Sequence, residues 1–156
     1  MAVMIVLVGS LLLSRGLGAL GVRRFATWKE ATRHALAVVF LFTASAHFTS
    51  MRHDMARMVP EAVPWPEAVV AFTGVCEIAG AVGLLVPRLQ RAAGIALIVF
   101  LIAVFPANVR AAREGVTLGG RAATPLAWRA PMQLLLIALV YWVTQTGAAR
   151  SPSPRP

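Results

Sequence analysis

The sequence predicts an all-α integral membrane protein, a helical bundle of four core transmembrane helices with a fifth at the N-terminus. Three observations carry the prediction. Of the 156 residues, 58% are hydrophobic and only 13% charged, against about 25% charged in an ordinary soluble domain. The apolar residues fall into five runs of roughly twenty, the length a helix needs to cross hydrocarbon. Most prolines and arginines lie between those runs, where helices stop and membrane edges begin. At this length the runs leave no room for a separate soluble domain.

The net charge of +9 could suggest a nucleic-acid partner. The basic residues are instead strung along the predicted membrane edges, which fits anchoring and orientation in a bilayer. Every basic residue except Lys29 is arginine, and alanine is abundant. That usage fits a GC-rich bacterial genome, hence an inner membrane. The single cysteine, Cys76, excludes an intrachain disulfide and a CxxC redox pair. It points about 100° away from its neighbour Glu77 around a helix and reads as a small buried hydrophobe.

The first span covers residues 1–22, the alternative being a re-entrant or surface helix. It lacks a basic leader and cleavage site, and Arg15 is tolerated if it snorkels to the interface. Arg23, Arg24, Lys29 and Arg33 then make the most basic loop, with Trp28 at headgroup level. The second span, 31–51, carries Thr43, His47 and Ser50 along one face. A loop broken by Pro60, Pro64 and Pro66 leads to the third span, 66–86. Pro66 suits its first turn and Glu67 complements its dipole. Pro87, Arg88 and Arg91 form a tight basic turn into the fourth span, 89–110, which Pro106 is expected to kink, turning Asn108 inward. Residues 114–124 suit a lid or short hairpin. The fifth span, 126–146, starts near Pro125 or Pro131, and the tail 151–156 is too polar and proline-rich to fold. The bias of basic residues places the N-terminus outside and the C-terminus in the cytoplasm.

Within this frame Glu77 stands out. A carboxylate in hydrocarbon costs a few kcal/mol unless it faces other helices, so Glu77 must find a partner or hold a proton. Thr73 precedes it by one turn, and Gly80 and Gly83 follow at a spacing that lets helices approach closely. In antiparallel helices His47, Glu77, Asn108 and Gln133 occupy the outer half of the bundle, with Thr43 and Thr73 beside them. Four polar side chains from four helices suggest a shared pocket. Each also has a plainer role: His47 bonding a loop carbonyl, Asn108 capping a kinked helix, Glu77 and Gln133 as interhelical glue. Haem is not expected, since only His47 is placed as an axial ligand. The chain also lacks a Cys/His cluster for zinc, a phosphate-binding glycine motif for nucleotides and a Ser/His/Asp relay.

The segments Ser45-Ala-His-Phe48, Met51-Arg-His-Asp-Met55, Met58-Val-Pro60 and Thr73-Gly-Val-Cys-Glu-Ile-Ala-Gly-Ala-Val-Gly-Leu-Leu-Val-Pro87 resemble the DoxX family of small bacterial membrane proteins. Phe105-Pro-Ala-Asn-Val109 and Trp128-Arg-Ala-Pro-Met-Gln133 resemble its branch with an FPAN segment. The resemblance spans about residues 35–142. It implies a bundle around four core helices whose polar positions match His47, Glu77 and Asn108, and an association with redox complexes and oxidative-stress responses. On that basis the chain is expected to be an accessory or quinone-linked subunit of a membrane redox system. Glu77 and His47 would be its catalytic residues; Thr73, Asn108, Gln133 and Thr43 would hold a ligand such as a quinone. No metal is expected. The expected partners are the lipid bilayer, other redox subunits and a second copy of the chain. Without its own redox motif, the chain is at most part of an oxidoreductase. The alternatives are a non-enzymatic assembly factor or scaffold, and a small transporter with Glu77 as coupling group; the lack of inverted repeats counts against the transporter.

Overall fold

The computed structural model describes residues 2–122 and 124–145; the tail at 151–156 and Thr146, the last residue of the fifth expected span, lie outside the described residues. The fold is all-α. Its helices are α1 (Ala2–Ala19), α2 (Trp28–Ala46), α3 (Met51–Ala56), α4 (Pro66–Leu85), α5 (Gln90–Arg113) and α6 (Leu126–Thr144). Helix α2 packs against α1, α4 and α6, α4 against α5, and α5 against α6. Four helices thus close a ring, and α1 stands outside it against α2.

Local chemistry sets the helix ends. Thr27 and Glu30 form a capping box, so α2 starts at Trp28, three residues before the expected Ala31. It also stops early. His47 is its C-cap, and the hydroxyls of Ser45 and Thr49 bond back to the carbonyls of Phe42 and Ala46, competing with helix continuation. Met51 therefore opens the separate helix α3 instead of closing the second span. Ser50, expected on the stripe with Thr43 and His47, lies exposed in the intervening turn. Helix α6 begins after Pro125, and Pro131 lies inside it. Helix α5 runs past Pro106 as far as Arg113, three residues beyond the expected Arg110. Proline deprives the Ile102 carbonyl of its usual donor without ending the helix.

Between α5 and α6, Thr117–Leu118 and Arg121–Ala122 (β1 and β2) pair as a minimal antiparallel hairpin. Its turn is Gly119-Gly120, with φ of +58° and +75°, where residues other than glycine would be strained. The Gly119 N–H donates to Asp54 Oδ2 at 2.8 Å, docking the hairpin on α3.

Helices α1, α4, α5 and α6 are long and apolar enough to cross a membrane. Their outward faces carry Ile5, Phe72, Val99 and Leu134, all more than half exposed. Apolar side chains on the outside of every such helix are stable against lipid and costly against water. Helix α2 does not meet the same apolar standard, because Lys29, Glu30 and Arg33 occupy its first turns. It is nevertheless the centre of the bundle: Ala35, Leu36, Val39 and Phe40 are buried among Leu84 of α4, Leu97 of α5 and Val140 of α6. A helix shielded by three neighbours does not need an apolar surface all round. Arg15 of α1 donates to the carbonyls of Phe25 and Ala26 and lies 4.7 Å over the Trp28 ring. Its charge is thus drawn to the helix end, as snorkelling requires.

Close approach of α4 depends on its glycines. A Cβ on Gly80 would overlap the Leu97 side chain of α5, and one on Gly83 would lie 2.6 Å from Ala93 Cβ. Gly74 does the same toward α2, where a Cβ would lie 2.7 Å from His47 Cβ.

Candidate functional site: a buried histidine–glutamate pair

Val70, Thr73, Gly74 and Glu77 share the stripe of α4 that faces the C-terminal end of α2, following the i, i+3, i+4, i+7 spacing of one helix face. Because Gly74 has no side chain, His47 settles directly onto this stripe. Its Nδ1 lies 2.7 Å from the Val70 carbonyl oxygen. A carbonyl can only accept, so Nδ1 carries a hydrogen and donates it. Thr73 donates its own hydroxyl to the same carbonyl at 2.8 Å, and its oxygen stands 3.1 Å from Nδ1. The imidazole is thereby fixed in orientation and tautomer.

Its other nitrogen, Nε2, faces Glu77 Oε2 at 3.4 Å. The two residues are buried, with 7% and 6% exposure. Thr43 of α2 donates to Glu77 Oε1 at 2.9 Å. Glu77 Oε2, in contrast, makes no hydrogen bond among the described residues; the approach of Nε2 lies within ion-pair reach but is not aligned as a hydrogen bond. With Nδ1 committed to the Val70 carbonyl, Nε2 is the ring nitrogen left to face the buried carboxylate. The arrangement thus buries both groups and leaves one carboxylate oxygen without a hydrogen bond among the described residues.

Asn108 and Gln133 belong to a second group, between α5 and α6. Asn108 Nδ2 donates to Gln133 Oε1 at 3.3 Å, and Gln133 Nε2 donates to the Leu101 carbonyl at 2.7 Å, beside the backbone loosened by Pro106. Arg129 donates to Asn108 Oδ1 at 2.8 Å. Asn108 thus turns toward α6, and it does not cap α5. Of the six residues singled out from the sequence, the structure joins Thr43, His47, Thr73 and Glu77 in one network and Asn108 with Gln133 in another. No hydrogen bond or ion pair among the described residues links the two networks. Arg129 was assigned only to the membrane edge. Its position one turn before Gln133 is the signal that could have placed it beside Asn108. The Val70 carbonyl, which fixes the tautomer, leaves no mark in the sequence.

These features define a class: a helical membrane bundle that buries a carboxylate–imidazole pair between its central helix and α4. A family model described as a domain of unknown function, DUF8561, matches residues 36–144, and the chain belongs to that family. The matched stretch runs from within α2 to the end of α6, so it takes in the helical ring and leaves α1 outside. No curated protein and no solved structure matches the chain.

Proposed function

We propose that this chain is a DoxX-like accessory subunit of a bacterial inner-membrane redox system, in which the His47–Glu77 pair exchanges a proton with a quinone-type ligand. The observation that carries the reading is the buried, unbonded Glu77 Oε2 facing Nε2 of a histidine whose tautomer is fixed. Reducing a quinone to a quinol consumes two electrons and two protons. In this reading the His47–Glu77 pair passes one proton, while a partner redox subunit supplies both electrons and the second proton arrives from water at the membrane edge. Thr43 and Thr73 position the pair. The clustering of Lys29, Arg33, Arg88 and Arg91 at one end supports a cytoplasmic location for that end, with the N-terminus outside.

The test is Glu77→Gln in the detergent-solubilised full chain, titrated with decylubiquinone. The amide fills the same volume and still bonds Thr43, so the fold is retained, but it cannot carry the proton. Quinone affinity falls about tenfold, the worth of one hydrogen bond to an ionisable group, and the pH dependence of binding disappears. Binding and pH profile unchanged in Glu77→Gln would end the proton-exchange reading. The scaffold reading draws support from the second network, where Asn108, Gln133 and Arg129 bond one another and the backbone, as packing glue does. It predicts that Glu77→Gln is silent while Glu77→Leu, which strands Thr43 and His47, is destabilising.

A further inference from the structure

At the end of the bundle opposite His47, the N-terminus of α2, the α4–α5 turn and the C-terminus of α6 enclose a pocket of about 350 Å³. Lys29, Arg33, Arg88 and Arg91 line it together with Gln90 and Gln145, and no acidic residue does. We propose that this pocket binds a phosphate group, with a phospholipid headgroup at the membrane edge and free phosphate as its two sources. It is independent of the His47–Glu77 pair.

The cations are of two kinds. Lys29 donates to the Gln145 carbonyl, and Arg33 donates to the Val143 carbonyl at 2.8 Å. Bonding to the last carbonyls of α6 fixes both side chains at the pocket wall before any ligand arrives. The Arg33 Nε–H is buried and has no hydrogen-bond partner among the described residues. Arg88 and Arg91 are exposed and make no ion pair or side-chain hydrogen bond among the described residues. They flank the start of α5, which has no side-chain cap and no acidic residue in its first turn. The unbonded N–H groups and positive dipole end of a long helix add to the same field.

The opposite end is built differently. There Arg52 pairs with Glu67, Arg57 with Asp54, and Arg110 with Glu61 and Glu114. Of the remaining carboxylates, Glu77 lies in the core and Glu30 is engaged in the α2 capping box. Glu30 lies near enough to act on Arg33, but Arg88 and Arg91 have no carboxylate partner among the described residues, so an anion from outside would relieve the repulsion between the pocket cations. Three guanidinium groups favour phosphate, whose oxygens match their planar forks. The volume falls in the range of small-ligand sites, roughly 300–1,000 Å³, and basic pockets between membrane helices suit anionic headgroups.

The test follows thermal unfolding of the full chain in a neutral detergent, titrated with short-chain phosphatidylglycerol, phosphatidylcholine, or inorganic phosphate at constant ionic strength. The variant Arg88→Gln/Arg91→Gln is compared with Arg23→Gln/Arg24→Gln, which removes the same charge from the same end without touching the pocket. The expected result is stabilisation by phosphatidylglycerol and not by phosphatidylcholine. Affinity weakens about 30-fold in the pocket variant, about fivefold per arginine, and stays near wild type in the control. Stabilisation by inorganic phosphate with the same variant dependence supports the site with free phosphate as the source. Absence of stabilisation by either phosphate probe, or equal loss in both double variants, overturns the proposal. The unliganded Arg88→Gln/Arg91→Gln protein unfolds no lower than wild type, since the exchange relieves repulsion, so a folding defect is separated from a binding defect.

Discussion

Gly74→Ala is the sharpest probe of how the candidate site is assembled. The new methyl would lie 2.7 Å from His47 Cβ and 2.9 Å from Phe48 Cε2. Neither neighbour can yield cheaply: His47 is held by the Val70 carbonyl and Thr73, and its Cβ sits next to the backbone. Helix α4 must therefore move away from α2 by several tenths of an ångström or more. Overpacking of this kind costs about 1–3 kcal/mol. Alanine recovers about 0.8–1 kcal/mol of helix propensity over glycine, leaving a net loss of about 0–2 kcal/mol, whereas Gly9→Ala shows the gain alone. Gly9→Ala is the control, because a Cβ there meets nothing within 4 Å. Reversible unfolding in mixed micelles, monitored by helical circular dichroism, separates the two. The displacement also widens the approach of His47 Nε2 to Glu77, so quinone binding weakens together with stability. If Gly74→Ala were as stable as Gly9→Ala, the helices would not meet at His47 and the geometry of the pair would be wrong.

Gln133→Ala removes the bonds to the Leu101 carbonyl and to Asn108, so the same unfolding measurement shows a loss of about 1–2 kcal/mol with quinone affinity unchanged. At Asp54, the Gly119 N–H first, and then Arg57, hold the carboxyl below its usual range. A depressed carboxylate stabilises fully above its unfolded pKa and loses that effect as pH falls through the folded value. Protection of the Gly119 amide from hydrogen exchange, corrected for the intrinsic rate, is therefore constant near neutrality and declines in acid, below about pH 4. Asp54→Asn abolishes that pH dependence.

The sequence showed the helical runs more clearly than their ends. Hydropathy and proline placement located α1, α4, α5 and α6, because a lipid-facing helix must be apolar along its length. The end of α2 is hard to read because its signal lies in two hydroxyl residues, Ser45 and Thr49, whose side-chain bonding depends on the turn that they help to create. Its start was legible in Thr27 and Glu30, a threonine followed three residues later by a glutamate. Taking the span from the first apolar residue hid that signal. The central place of α2 follows from packing with α1, α4 and α6 and from no local property of its own sequence.

At the candidate site, periodicity was enough to bring Thr73 and Glu77 onto one face, and their partnership with Thr43 and His47 followed from depth in an antiparallel bundle. Depth alone could not divide the polar residues between neighbouring helix pairs. Asn108 and Gln133 lie in the same half as His47 yet bond across a different interface, because ring order, and not height, decides which side chains meet. The orientation of His47 was even less accessible. It depends on the Val70 carbonyl, a backbone atom that any residue at that position would supply, and on Gly74, whose missing side chain lets the imidazole reach it. Once Nδ1 is committed to that carbonyl, Nε2 has Glu77 before it, and a buried carboxylate of ambiguous purpose becomes half of a buried carboxylate–imidazole pair.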